Sequence, residues 1–213
     1  KSEMKALQAQ INPHFLYNTL DSIIWMSEAG ENDQVVLMTS ALAKLLRQSI
    51  SNDREQITVA EEIDYVRSYL TIQKMRYKDK LEYTIDVEER ILDVRIIKFV
   101  LQPLVENAIY HGLKYKETKG NLDIRGYRRG NRVCLVVADD GAGMEESELE
   151  HILEKKEKKT KSNGVGVYNV QKRLQLYYGP EYGISYISRK GEGTVATVTI
   201  PLDGGKSNEE TGR

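Results

Sequence analysis

The chain of 213 residues carries 31 Lys and Arg against 32 Asp and Glu, a formal charge of −1, which removes the electrostatic footprint of a nucleic-acid or anionic-membrane binder. With 40% hydrophobic and 30% charged residues it has a globular composition and is long enough for one large domain or two small ones. Its single cysteine, Cys134, excludes an intramolecular disulfide framework and fits a reducing compartment, and no apolar run approaches the roughly 18 residues of a membrane-spanning helix.

The chain opens on Lys1-Ser2-Glu3, without Met and already in a helical pattern; no signal peptide is recognisable in it, and it reads as a piece of a longer protein. Helical spacing dominates as far as residue 78. Val35, Met38, Leu42, Leu45, Leu46 and Ser49 fall on one side of a helix. Thr58-Val59-Ala60-Glu61 is a capping box opening a third helix, whose apolar face carries Val59, Ile63, Val66, Leu70 and Tyr77. Leu81–Val87 then alternates like a strand, and Ile97–His111 reads as a buried helix interrupted by Pro103. Leu122–Tyr127 and Arg132–Ala138 flank a hairpin turn, followed by a glycine-rich turn at Asp139–Gly143, a short acidic helix and the Lys-rich stretch Lys155–Ser162. A helix over Gly166–Tyr178 and a second hairpin, Gly183–Ser188 with Thr194–Ile200, complete the pattern. The expected class is α+β: a helical hairpin region over residues 1–78, an α/β layer domain over 79–203, and a polar, disordered tail over 204–213.

His14 stands out among the three histidines. On a helical wheel started at Pro13, Phe15, Leu16, Thr19, Leu20, Ile23, Ile24 and Met26 share one half, while His14 falls opposite with Asn18, Asp21 and Trp25. One reading makes His14 a solvated residue in a first helical turn begun by Pro13. The other makes it a nucleophile, because neutral imidazole held out to solvent can accept a phosphoryl group. Asn18, one turn on, is then placed to hydrogen-bond the attacking or leaving group, while Asp21 is two turns away and a poor candidate base.

Four segments of the second region suit a nucleotide. Glu106-Asn107-Ala108 lies on a helix, where an Asn oxygen can complete a Mg²⁺ shell with phosphates and water. Asp139-Asp140-Gly141-Ala142-Gly143 follows a strand, where a buried carboxylate can accept from the exocyclic amine of adenine and the glycines permit close approach. Gly164-Val165-Gly166 opens a helix, whose N-terminal N–H groups favour polyphosphate. Gly191-Glu192-Gly193-Thr194 turns into the last strand and supplies a hydroxyl. Singly each is an ordinary turn; their order and spacing carry the signal.

These motifs carry a resemblance. QINPHFLYNTLD at Gln10–Asp21 and LQPLVENAIYHG at Leu101–Gly112 resemble the LytS/YesM-type sensor histidine kinases, and DDGAG, GVG and GEGT resemble the remaining boxes of the gyrase/Hsp90/histidine-kinase/MutL (Bergerat-type) ATP-binding fold. The resemblance runs from about Leu7 to Pro201. It implies a dimeric four-helix bundle followed by an α/β sandwich that binds ATP and Mg²⁺, with His14 as phosphoacceptor, Asn107 as metal ligand and Asp139 as adenine carboxylate. Gly141, Gly143, Gly164 and Gly166 would shape the pocket and lid hinge, and Thr194 would support the adenine end. Glu106 and His111 stand at matching positions, Arg173 either reaches phosphate or forms a surface salt bridge, and Lys155–Ser162 is either the lid or a solvated loop. The implied partners are a second copy and a response regulator whose aspartate takes the phosphate; neither nucleic acid nor a membrane is expected to touch this cytoplasmic piece, although the parent is expected in the cell membrane with a sensor upstream.

The departures from the family pattern matter too. Pro103 stands where the ATP-hydrolysing relatives carry a water-activating glutamate, which disfavours hydrolysis and favours transfer. Tyr110 stands where Lys is frequent, Ile97 where Pro is common, and Phe15 where many histidine kinases have an acid after the histidine. Two rival readings remain: an ATP-driven conformational machine of the same fold, disfavoured by Pro103, and a non-catalytic dimeric scaffold, disfavoured by the intact Asn107, Asp139 and glycine pairs.

Overall fold

A computed structural model describes residues 12–50, 54–114, 116–151 and 165–205. The chain divides into two compact units, one holding the described residues up to Glu55 together with Ile63–Asp79, the other Gln56–Glu62 and the described residues from Lys80 onward. No helix among the described residues is long and apolar enough to cross a membrane.

The first unit is helical. Helix α1, Pro13–Glu28, begins at Asn12, whose side chain accepts from the His14 N–H at 3.0 Å, with Pro13 in the first helical position where its missing N–H costs nothing. Gly30, at φ +74°, turns the chain into α2, Asn32–Ile50, which buries Met38, Leu42, Leu45 and Ser49 as their spacing predicts. Part of α3, Val59–Tyr77, completes the unit: Tyr69 stacks at 4.9 Å on Phe15, and Asp64 pairs with Lys44 at 2.6 Å. The α1–α2 hairpin therefore has a third helix as its neighbour. On α1 only Phe15 and Thr19 are buried; Leu20 and Ile24, expected on the apolar half, are exposed.

The first turn of α3 belongs to the second unit, so the units are divided within this helix as well as between Asp79 and Lys80. The capping box forms as the sequence predicts, with the Thr58 N–H donating to Glu61 Oε2 at 2.8 Å and the Glu61 N–H to Thr58 Oγ1 at 3.1 Å. The next orphan amides, Val59 and Ala60, donate to the carbonyls of Val94 and Leu92, both at 2.9 Å. Strand β1, Gln56–Thr58, pairs antiparallel with β3, Arg95–Ile97, which anchors this turn further.

The second unit is a five-stranded sheet of order β2-β4-β5-β7-β6, formed by Leu81–Val87, Gly120–Arg129, Arg132–Asp139, Gly193–Pro201 and Gly183–Arg189. Strands β2 and β4 run parallel and the other neighbours antiparallel. Leu122, Ile124, Val133, Leu135, Val137, Ala196, Val198 and Ile184 alternate onto one buried face. The helices of this unit supply the apolar counterpart through Leu101, Leu104, Val105 and Ile109 on α4, Leu101–Asn107 with its continuation to Leu113, and through Val167, Val170, Leu174 and Tyr178 on α6, Val165–Tyr178. The short acidic helix α5, Glu146–His151, lies between β5 and α6 in the chain.

Two expectations need correction here. Ile97 is the last residue of a strand, and Pro103 does not interrupt α4: it is the third residue of the helix, where an N–H would have no carbonyl to reach. The Lys155–Ser162 run and residues 206–213 lie outside the described residues.

Candidate active site

The site in the second unit is built around the end of β5. Asp139, its last residue, is in register with Thr194 of β7, and its carboxylate accepts from the Gly141 N–H at 2.9 Å and from the Thr194 N–H. Burial, with the adjacent Asp140 carboxylate, raises the Asp139 pKa to about 6, against the pull of those N–H groups and of Lys116. The raised value marks a carboxylate with spare acceptor capacity in a desolvated place, which is what an amine donor on a ligand requires. Asp140 differs although it is the next residue. Burial pushes it up too, but the backbone and amide N–H groups of Asn121, at 2.8 and 2.7 Å, and the Lys116 ammonium, at 2.7 Å, hold it below the usual range.

Glycine is sterically required around Asp139. A Cβ on Gly112 would overlap the Asp139 carboxylate, and one on Gly141 would overlap the Gly112 backbone. The Ala142 N–H donates to the Gly112 carbonyl at 2.9 Å, which ties the DDGAG turn to the end of the α4 continuation. Gly143 at φ +62° and Gly193 at φ +108° also press against backbone, at Arg189 and Asp139 respectively. Gly166, by contrast, meets only Pro103, at an ordinary 3.6 Å, so local sterics do not demand glycine there. Gly164 lies outside the described residues. Thr194 Oγ1 is 2.8 Å from Ser188 Oγ, which also donates to the Gly193 carbonyl and receives the Met144 N–H, both at 2.9 Å.

Helix α4 brings the other motif alongside. Glu106 and Asn107 are half-buried on its last turn. Beyond Asn107 the helix widens to i→i+5 bonding, as in Lys114 N–H to Ile109 O at 2.9 Å, a deviation that accommodates the close approach at Gly112. Burial raises the pKa of Glu106, which accepts from Gln102 Nε2 at 2.8 Å. His111 is exposed beside Gly112. Among the described residues no three His, Cys, Asp or Glu side chains gather to hold a metal ion. A magnesium ion here would be held by nucleotide phosphates and the Asn107 amide oxygen, a hard oxygen set of the kind Mg²⁺ prefers.

Arg173 reaches from α6 to the chain just before α4. Its guanidinium donates to the Lys98 carbonyl at 2.8 Å, in the turn before α4 and nine residues ahead of Asn107. That turn is held by a residue that sequence reasoning missed. Glu62, fully buried, accepts from the N–H groups of Phe99, Val100 and Leu101 at 3.0, 2.8 and 2.8 Å, and holds Phe99 at φ +55°. Burial pushes this carboxyl up in pKa, and the three N–H groups with Arg173 pull it back. Its one sequence signal is an acid on the apolar stripe of Val59, Ile63 and Val66. Gly112 and Ser188 were missed as well: their roles come from contacts 27 to 30 and 44 residues away in the chain.

The other candidate centre lies on α1. His14 is exposed, and the Asn18 amide nitrogen stands 2.9 Å from its Nδ1 and 3.3 Å from Nε2. Asp21 and Trp25 are exposed on the same helix. The wheel's separation of His14 from buried Phe15 and Thr19 is therefore present, and the ring has one amide partner.

Comparison with known proteins bears on both centres. Residues 2–81 match a family described as histidine kinase, and residues 92–204 one described as histidine kinase-, DNA gyrase B- and HSP90-like ATPase. The chain is 39% identical over 201 residues to the sensor histidine kinase YesM of Bacillus subtilis, a match covering 94% of this chain and 33% of the relative. It is 34% identical over 206 residues to the sensor protein LytS of Oceanobacillus iheyensis, with 94% and 34% covered. The chain thus spans about a third of the length of the curated relatives it matches. Among solved structures it resembles the histidine kinase domain of a blue-light activated histidine kinase from Erythrobacter litoralis, with TM-score 0.54 at 14% identity over 94% of each chain. It also resembles the catalytic domain of histidine kinase ThkA, with TM-score 0.53 at 22% identity over 69% of this chain and 96% of the other. At such identities these two show the fold alone.

Proposed function

Because the chain belongs to the LytS/YesM-type sensor histidine kinases, we propose that it is a kinase core that binds MgATP at the Asp139 pocket, phosphorylates itself on His14 and passes the phosphoryl group to an aspartate of a response regulator. The observation that carries this reading is the pairing, on one chain, of a solvent-exposed imidazole anchored by Asn18 with a desolvated carboxylate walled by glycines.

The chemistry needs little from the protein beyond position and charge. Rotating the Asn18 amide to present Oδ1 to a protonated Nδ1 leaves the Nε2 lone pair free. Nε2 attacks the γ-phosphorus, the bond to the β,γ-bridging oxygen breaks, ADP departs and the Nε2–P bond forms. Asn107 would hold the metal that accompanies the phosphates through its amide oxygen, and Asp139 would accept from the adenine amine. Glu106, held by Gln102 on the same turn, orients groups near Asn107. Pro103 in place of a carboxylate supports transfer over hydrolysis, against the reading as an ATP-driven machine, and the geometry at Asp139 argues against a vestigial pocket. The exposed apolar residues of α1 support pairing with a second copy. The sensor histidine kinase names and greater length of the relatives support a longer parent held in the cell membrane by segments outside this sequence.

The test uses γ-labelled ATP with Mg²⁺ on the wild type and on His14→Ala. The expected result is acid-labile, alkali-stable label on the wild type and none on the variant. Label that persists in His14→Ala assigns the phosphoacceptor elsewhere, and ATP binding without label favours the scaffold.

A further inference from the structure

A polar atom at the Asp139 pocket is buried without a partner. The Tyr186 hydroxyl on β6 is sealed from solvent and makes no hydrogen bond. Strand register locates it. Asp139, Thr194 and Ser188 form one transverse row across β5, β7 and β6, and Val137, Ala196 and Tyr186 form the next row on the same face. The middle residue of that second row, buried Ala196, ends at Cβ and leaves the phenol ring room above β7 on the Asp139 side. In the first row Ser188 and Thr194 satisfy each other. Tyr186 has no such neighbour. Burial, and after it the Asp139 carboxylate, raises the phenol pKa above its ordinary value, so the hydroxyl keeps its proton and acts as a donor.

A carboxylate alone does not select adenine. It accepts from the adenine amine, but guanine offers a carboxylate two donors, at N1 and the 2-amine. What separates the two bases is a donor beside the carboxylate: adenine presents the acceptor N1 next to its amine, whereas guanine presents N1–H and would set two donors against each other. We propose that Tyr186 is a specificity-determining residue of the nucleotide pocket, its hydroxyl donating to adenine N1 while Asp139 accepts from the adjacent amine. This rests on the ATP-binding reading above.

The test is calorimetric and needs no catalysis. The full chain, as wild type and as Tyr186→Phe, is titrated in Mg²⁺ with ADP, with 1-deaza-ADP, in which C–H replaces the ring nitrogen, and with GDP. The wild type is expected to bind 1-deaza-ADP about tenfold more weakly than ADP, a neutral hydrogen bond with its buried partner left unpaired. Tyr186→Phe is expected to bind both analogues equally, at the weaker level, and to lose a similar factor of preference for ADP over GDP. Its ligand-free melting temperature should equal or exceed that of the wild type, because an orphaned hydroxyl has been removed. Equal affinity of the wild type for ADP and 1-deaza-ADP overturns the assignment, as does an undiminished 1-deaza penalty in the phenylalanine variant. Absence of ADP binding to the wild type overturns the nucleotide reading itself.

Discussion

Asp139 is both the carboxylate best suited to an adenine amine and a charge the fold tolerates poorly. Its pKa rises from 3.8 to about 6, so between those values the folded protein holds a proton that the unfolded chain has released. Stability from this group is therefore present at pH 4 and lost as pH climbs through 6, by about 3 kcal/mol at most for roughly two pKa units. Asp139→Asn should melt at a higher temperature than the wild type at pH 7.5, with the gap closing as the pH falls to 4, while ADP affinity drops by at least tenfold. Calorimetric melting across that pH range, with ADP titrations, checks both halves. At this scale much was legible beforehand. His14 with Asn18, and Asp139 with Gly141, sit within four residues of each other, so periodicity and local spacing exposed them. Gly112 was not legible, because its need to be glycine comes from an aspartate 27 residues on, and Tyr186 gave no signal because its lack of a partner exists only in three dimensions.

Helix α4 shows what elements add. Its position depends less on its own sequence than on Glu62, which satisfies three amides 37 to 39 residues away. Glu62→Ala would leave those donors buried and unpaired at a cost of about 3 kcal/mol or more, whereas Glu62→Gln keeps an oxygen acceptor and should cost clearly less. Thr58→Ala removes one half of the capping box and should cost about 1 kcal/mol. Urea unfolding of the three variants should rank them in that order, and an alanine at 62 no worse than one at 58 would show that the carboxylate is not the anchor of α4. The capping box was legible because both partners lie within one turn. Glu62 was not, because hydrophobic periodicity says which face is buried but not which distant amides wait there. Pro103 was misread for a related reason: a proline inside an apolar run signals a break, and only the observed start at Leu101 makes it a first-turn residue.

On the scale of the molecule, α1 leaves Tyr17, Leu20, Ile24 and Trp25 between 43% and 68% exposed. Tyr17, Leu20 and Ile24 follow one stripe at three- and four-residue spacing, an apolar area more extended than a lone helix leaves to water without cause. If a second copy covers it, Leu20→Glu combined with Ile24→Glu should shift the chain from dimer to monomer in sedimentation equilibrium, with ADP affinity retained because Asp139 belongs to the other unit. A dimer that survives both charges would move the interface off this stripe. The strand order carries a consequence of a different kind. β7, the strand furthest along the chain, is inserted between β5 and β6, and it brings Thr194 to Asp139. A polypeptide leaving the ribosome therefore exposes every other strand of the sheet before the one that joins them. Until β7 emerges, β6 has no neighbour and the Asp139 carboxylate lacks its second amide. On the reading proposed above, the nascent protein would stay blind to nucleotide until the last strand of its sheet has been made, and a chain cut short before Thr194 would not compete for ATP.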